Sequence, residues 1–260
     1  MATQTNHADT GRVYLVGAGP GDPGLLTLRA RELLESCDSV LHDYLVAPEI
    51  LAFVRPGAER VAVGKIGHGT QVPQEEIHRL LVARARAGQR VVRLKGGCPT
   101  LFGRVAEEAL ALREAGIAFE IVPGVSSALA APAYAGIPVT HRGVASSVAL
   151  VTGHCAGPGG RPLSAVAHAD TLVILMGVKA LPEIVAELIA AGRDPDAPAA
   201  AIQEGTSPRQ RIVEATLRTL PREVRREGLG TPAVIVVGEV VRLRERIDWF
   251  TSADALATLV

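Results

Sequence analysis

The sequence predicts an α/β protein of two consecutive domains, the first on a mainly parallel sheet and the second on a mixed one. Three observations carry this. Hydrophobic residues make up 48% of the chain and aromatics only 3%, so Val, Leu, Ile and Ala must build the core, as in sheets buried on both faces. Short apolar runs alternate with helical patterns through the first half, the pattern of parallel strands joined by crossover helices. Glycines stand where those helices should stop, at Gly88, Gly116 and Gly136.

In chain order, the first domain (residues 11–137) has strand-like runs at Val13–Val16, Ser39–His42, Arg60–Val63, Arg90–Leu94 and Phe119–Val122. Helical patterns separate them at Thr27–Ser36, Pro48–Val54, Gln74–Ala87, Arg104–Ala115 and Ser126–Tyr134. A break at Gly136-Ile137-Pro138 opens the second domain (residues 138–260). Its strands are expected at Ser147–Thr152, Thr171–Met176, Ala199–Gln203, Arg211–Ala215 and Ala233–Val237, with helices at Lys179–Ala191 and Leu217–Arg226. Arg211–Ala215 follows its predecessor too closely for a crossover helix, which is why the second sheet should be mixed. Residues 1–10 read as a loose polar tail, without a basic start or an apolar stretch.

The bulk numbers exclude several classes. Lys plus Arg equals Asp plus Glu at 27 each, so no global field draws the chain to nucleic acid or membrane. The scarcity of aromatics argues against a base-stacking platform, and no apolar run approaches the roughly 20 residues that span a bilayer. Cys37, Cys98 and Cys155 are far apart and form no C-x-x-C pair, so neither a disulfide framework nor a zinc site is expected. His141 and His154 lack metal-ligand spacing. A cytoplasmic protein without a metal is the expectation.

Chemistry concentrates in the strand-to-helix turns. Gly17-Ala18-Gly19-Pro20-Gly21-Asp22-Pro23 follows the first strand, but Asp22 stands where a dinucleotide fingerprint needs its third glycine, and two prolines remove N–H groups. Lys95-Gly96-Gly97-Cys98-Pro99 follows the fourth strand, and Val122-Pro123-Gly124-Val125-Ser126 the fifth, with Ser126 a fair N-cap. Such turns share the carboxyl edge of a parallel sheet, where ligands of open α/β folds bind. Asp43, after the second strand, suits either ribose binding or acid–base work. Lys65, after the third, reads by itself better as a solvated surface charge. With Arg93, Lys95, Arg104, His141 and Arg142 it forms a concentration of cations near strand ends, which suggests an anionic ligand clamped by charged hydrogen bonds.

Taken together, GAGPGDPGLLTL, HDYLV, VGK, RLKGGCPTLFGR, IVPGVSSALAAPAYAGIPVTHRG, TGH, ILMG, AIQEGTSPRQRIV and TPAVIVVGEVV resemble the tetrapyrrole methylases over nearly the whole chain. The LKGG-x-P-x-x-FGR and GIP-x-THR pieces are most similar to the branch acting on uroporphyrinogen III, in its stand-alone form, since no dehydrogenase or ferrochelatase half is visible. The resemblance implies two methyl transfers from S-adenosyl-L-methionine to uroporphyrinogen III, giving precorrin-2 for sirohaem and cobalamin biosynthesis and S-adenosyl-L-homocysteine as by-product. It implies a homodimer with the cofactor folded into the cleft between the domains. Asp43 then corresponds to the proton acceptor and Lys65 to the proton donor. Cofactor contacts map to Pro20, Gly96, Gly97, Cys98, Leu101, Ser126, Ser127, Met176 and Gly205, with Pro232 and Ala233 beside the adenosine. Arg93, Lys95, Arg104, His141 and Arg142 are left to meet substrate carboxylates. Three departures stand out: Cys98 where the family usually has Asp, Tyr44 where Arg is usual, and Val105-Ala106 where two glycines are common. They keep open a methylase for a later precorrin or a d1-haem-type ring, and a non-catalytic tetrapyrrole-binding relative.

Overall fold

The structure, a computed structural model, describes residues 11–64, 72–153 and 163–250. The chain divides into two units between Ser126 and Ser127.

In the first unit, β1 (Arg12–Gly17), β2 (Ser39–His42), β3 (Glu59–Ala62), β4 (Arg90–Lys95) and β5 (Phe119–Val122) form a sheet of order β3-β2-β4-β1-β5. Every pairing in it is parallel. The alternation of strand side chains divides the core in two. Tyr14 and Val16 turn to one face, where Ala30, Leu33 and Leu34 of α1 (Leu28–Leu34) and Ile50 of α2 (Pro48–Leu51) cover them. Val13 and Leu15 turn to the other, against Ile77, Leu81 and Ala85 of α3 (Gln74–Arg86) and Leu112 of α4 (Val105–Glu114). Each fully buried leucine contributes about 1.5–3 kcal/mol. Helix α1 begins where the Thr27 hydroxyl accepts the Ala30 N–H at 3.2 Å. Because all strands run the same way, the loops that follow them leave from one edge.

The second unit carries β6 (Val148–Thr152), β7 (Thr171–Leu175), β8 (Pro198–Gln203), β9 (Arg211–Thr216) and β10 (Ala233–Val237), in the order β6-β7-β10-β8-β9. Only β6 and β7 pair in parallel; β10 runs antiparallel to both its neighbours, and β9 to β8. The sheet is mixed, as the short gap before Arg211 predicts. One face packs Leu172, Ile174, Ala201 and Ile235 against Ile184 and Leu188 of α6 (Leu181–Ala190) and Leu220 of α7 (Leu220–Arg226).

Helix α5 (Ser127–Tyr134) belongs to this second unit, since it packs on β7 and β10 and buries Ala128, Ala130 and Ala131. The boundary expected between residues 137 and 138 therefore falls too late. Gly136-Ile137-Pro138 ends a helix instead of separating the units: Gly136 takes the left-handed conformation (φ +71°) against the backbone of Ile247. The short α8 (Arg244–Ile247) follows β10.

Candidate active site

At the carboxyl edge of the first sheet, three loops close on one another through backbone alone. Gly19 and Gly97 exchange both hydrogen bonds, N–H to carbonyl, at 3.2 and 2.7 Å, and the Ala18 N–H donates to the Lys95 carbonyl at 2.8 Å. A Cβ on Gly124 would lie 2.4 Å from the Gly97 carbonyl oxygen and 2.9 Å from the Gly17 Cα. A Cβ on Gly17 would lie 2.6 Å from the same oxygen. No side chain fits at either position without moving backbone, so the sequence has glycine at both. Asp22, which breaks the dinucleotide spacing, acts locally instead. Its Oδ1 accepts the Gly24 N–H at 2.7 Å and caps the turn Pro23–Leu25. Among the described residues, a Cβ on Gly96 would meet only the Leu45 Cβ, at 3.6 Å.

Cys98 sits in this ladder with its Sγ 3.1 Å from the Thr100 hydroxyl. Burial pushes the thiol up, but the Thr100 hydroxyl and the backbone N–H groups of Gly124, Thr100 and Leu101 outweigh it and hold the thiol below its ordinary value. The nest of donors favours an anion at this position. Nearby, Phe102 and Arg104 both have left-handed backbone, at φ 55° and 56°, which is strain concentrated on one loop. Arg104 is exposed and grips Glu107 through two bonds of 2.8 and 2.6 Å, and this holds Glu107 below the usual carboxylate range.

Asp43 stands at the same edge, its N–H donating to the Leu94 carbonyl at 3.0 Å. The loop after β3 packs directly on it, since a Cβ on Gly64 would lie 2.3 Å from the Tyr44 nitrogen. Asp43 Oδ1 accepts from Arg93 Nη2. Arg93 and Lys95 were expected to reach substrate carboxylates, but both are buried, at 2% and 4% exposure. Strand alternation puts them on the inward face with Val91, and their heads converge on Glu108 of α4. Glu108 Oε1 accepts from Arg93 Nε at 3.0 Å, Lys95 Nζ at 2.9 Å and Gln74 Nε2 at 3.2 Å. Lys65 and His154 lie outside the described residues.

The second sheet gathers its own set. Met176 follows β7 in left-handed backbone (φ 56°) and is 43% exposed. Glu204 and Thr206, on either side of Gly205 after β8, are left-handed too, at φ 47° and 73°. A Cβ on Gly205 would come within 2.4 Å of the Ala131 Cβ. Because β10 is antiparallel, its start lies beside the ends of β7 and β8, and the Glu204 N–H donates to the Pro232 carbonyl at 3.0 Å. Met176, Gly205, Pro232 and Ala233 thus share one edge. His141 and Arg142 do not join them. They are exposed on a turn closed by His141 and Ala145, just before Ser146 and Ser147, which bind Asp170 at the opposite edge, where β7 begins. Those N–H groups and hydroxyls hold Asp170 down to about 2.

Residues 12–221 match the model of the Tetrapyrrole (Corrin/Porphyrin) Methylases. The chain belongs to that family. A solved relative is the uroporphyrin-III C-methyl transferase from Thermus thermophilus complexed with S-adenyl homocysteine. It is 47% identical with a TM-score of 0.76, and the match covers 90% of this chain and 100% of that one. A cobalt precorrin-4 methyltransferase shares 31% identity and a TM-score of 0.78, over 88% of this chain and 95% of that one. Siroheme synthase of Pseudomonas fluorescens is 52% identical over 247 residues, 94% of this chain but 53% of that protein. The chain spans about half the length of such curated relatives.

Within this methylase, sequence reasoning missed Glu108 and Gln74. A signal existed for Glu108. Val105, Glu108 and Leu112 are buried at helical spacing, so an acid occupies a core position of α4, opposite two cations at inward positions of β4. Among the described residues no cluster of His, Cys, Asp and Glu could hold a metal ion.

Proposed function

We propose that this methylase acts on carbon atoms of uroporphyrinogen III, transferring two methyl groups in succession to give precorrin-2. The observation that carries the reading is the edge where Asp43 stands beside the glycine ladder, in a chain that covers the whole of the Thermus transferase at 47% identity. The residues present fit S-adenosyl-L-methionine. Gly96 leaves room over the Gly19–Gly97 ladder, the N–H groups around Cys98 offer donors, and Met176 offers exposed apolar surface beside the Gly205 and Pro232 backbone. Pro20, Leu101, Ser126, Ser127 and Ala233 complete the proposed cofactor set. The cofactor, when bound, supplies a sulfonium methyl.

The chain's own residues do the rest. Arg93 occupies one oxygen of Asp43 and leaves Oδ2 for the proton that the macrocycle sheds once a ring carbon is methylated. Lys65, next in the chain after Gly64, is assigned the proton-donor role. Arg104, exposed on a loop of the first edge, is the cation proposed for a substrate carboxylate, and His141 and Arg142 are left out of the set because their turn lies by the opposite edge of the second sheet. Work as a cytoplasmic homodimer belongs to the same reading. Among the described residues no helix is long and apolar enough to cross a membrane.

The test is an anaerobic incubation of the chain with S-adenosyl-L-methionine and fresh uroporphyrinogen III, read by mass spectrometry. A gain of two methyl groups is expected. Cofactor binding without transfer would overturn uroporphyrinogen III as substrate and direct the assay to later precorrins.

A further inference from the structure

We infer that Arg93 is a positioning residue for Asp43, held in place from behind by Glu108, and that these groups with Lys95 form one charge ladder serving turnover more than stability. The inference rests on the reading of Asp43 as proton acceptor. Four charged side chains run in sequence from the core to the surface: Lys95, Glu108, Arg93 and Asp43. Their side chains are 5%, 0%, 3% and 31% exposed in that order, so Asp43 is the end that meets solvent.

Stability alone does not account for this arrangement. Buried ion pairs are often no better than well-packed apolar residues of similar volume, because desolvation offsets their attraction. The same face also carries Val13, Leu15, Leu41 and Val91, and apolar side chains would continue that packing. What the ladder provides is a guanidinium fixed on three sides. Nε donates to Glu108, Nη1 to the carbonyls of Leu41 at 3.4 Å and Leu94 at 3.2 Å, and Nη2 to Asp43. A planar fork bonded this way has no freedom to swing, and it fixes the carboxylate oxygen it holds. Glu108 makes the arrangement possible. Arg93 and Lys95 point the same way from one strand, and Oε1 of Glu108 lies between the two cations. Its Oε2 has no hydrogen-bond partner among the described residues. Lys95 closes the ladder twice, because its ammonium goes to Glu108 while its carbonyl receives the Ala18 N–H of the glycine loop.

The experiment is a mutant cycle between Asp43→Asn and Arg93→Lys, with uroporphyrinogen III as substrate and S-adenosyl-L-homocysteine affinity measured separately by calorimetry. Lysine keeps the charge but puts all its donors on one nitrogen, so it cannot reproduce the separate Nε, Nη1 and Nη2 bonds that fix the Arg93 plane. Arg93→Lys should lower kcat by about 10–100-fold, with KM for the tetrapyrrole and the homocysteine Kd within about twofold of the parent. The double variant should be no slower than Asp43→Asn, because Arg93 acts through Asp43. A double variant slower by the full Arg93→Lys factor, or an Arg93→Lys defect confined to KM, would overturn the inference and leave the role of Asp43 intact. Full turnover in Asp43→Asn alone would overturn the role of Asp43 and the inference with it. If Arg93→Lys fails to bind the homocysteine, the same cycle is run with Glu108→Gln. That change keeps an acceptor for both cations, and the same non-additivity is expected.

Discussion

Two tight glycine contacts, Gly17–Gly124 at the first sheet's edge and Gly205–Ala131 at the second's, are built by different means. On the first, Gly17, Gly97 and Gly124 bring backbone onto backbone, and the contacts a Cβ would violate are to carbonyl oxygen, amide nitrogen and Cα. On the second, Met176, Glu204 and Thr206 keep their side chains and accept left-handed backbone, while the tight contact at Gly205 is to the Ala131 side chain. Backbone cannot be trimmed and a methyl group can. The Gly17–Gly124 contact should therefore be intolerant of an added atom, and the Gly205 contact correctable.

The largest expected effect belongs to the first edge's chemistry. Asp43→Asn should leave S-adenosyl-L-homocysteine affinity within about twofold, while turnover falls by about 10²–10⁴. Steady-state kinetics beside calorimetry decides this. Next comes its architecture. Gly124→Ala pushes a methyl into the Gly97 carbonyl and should cost about 3 kcal/mol in urea unfolding, with no single partner substitution to restore it.

Gly205→Ala, on the second edge, should cost about 2 kcal/mol. Adding Ala131→Gly should recover roughly half, the rest being lost to glycine within α5. A pair of substitutions that simply adds would abolish the distinction between the edges.

The smallest effect concerns Cys98. Its folded value lies below the ordinary thiol value, so the folded chain holds the thiolate more readily than the unfolded chain does. Its contribution to stability is present above the ordinary value and is lost as pH falls through the folded one. In a Cys155→Ser background, alkylation of Cys98 should reach its plateau below the pH of an ordinary thiol, near about 8.5. Cys37 should stay silent, because burial raises it. A plateau at or above the ordinary thiol value would mean that the amide nest does not favour an anion.

Much of this organisation is legible in the chain. Short apolar runs alternating with helical patterns identify all five strands of the first sheet, and the short span from Gln203 to Arg211 betrays the mixed character of the second. The unit boundary is not legible, because α5 is apolar on nearly every side and nothing local says which sheet its alanines cover. Arg93 and Lys95 mislead for another reason. A cation near a strand end suggests a ligand edge, yet alternation from Val91 turns both inward, and only the acid on a separate helix makes their burial tolerable. Asp22 looks like a broken fingerprint because its cap is a local bond to the Gly24 N–H, two residues on. The Gly19–Gly97 ladder joins positions far apart in sequence, so no local pattern shows it.

Strand β10 has a mechanical consequence. It starts at the edge where β7 and β8 end, and it is paired along both sides, with β7 and β8. Ala233 is thus the bonded start of the strand, and Pro232 just before it is tied through its carbonyl to the Glu204 N–H. Amides of β10 should be among the slowest of the unit to exchange with solvent, so motion at this edge should leave the strand itself still.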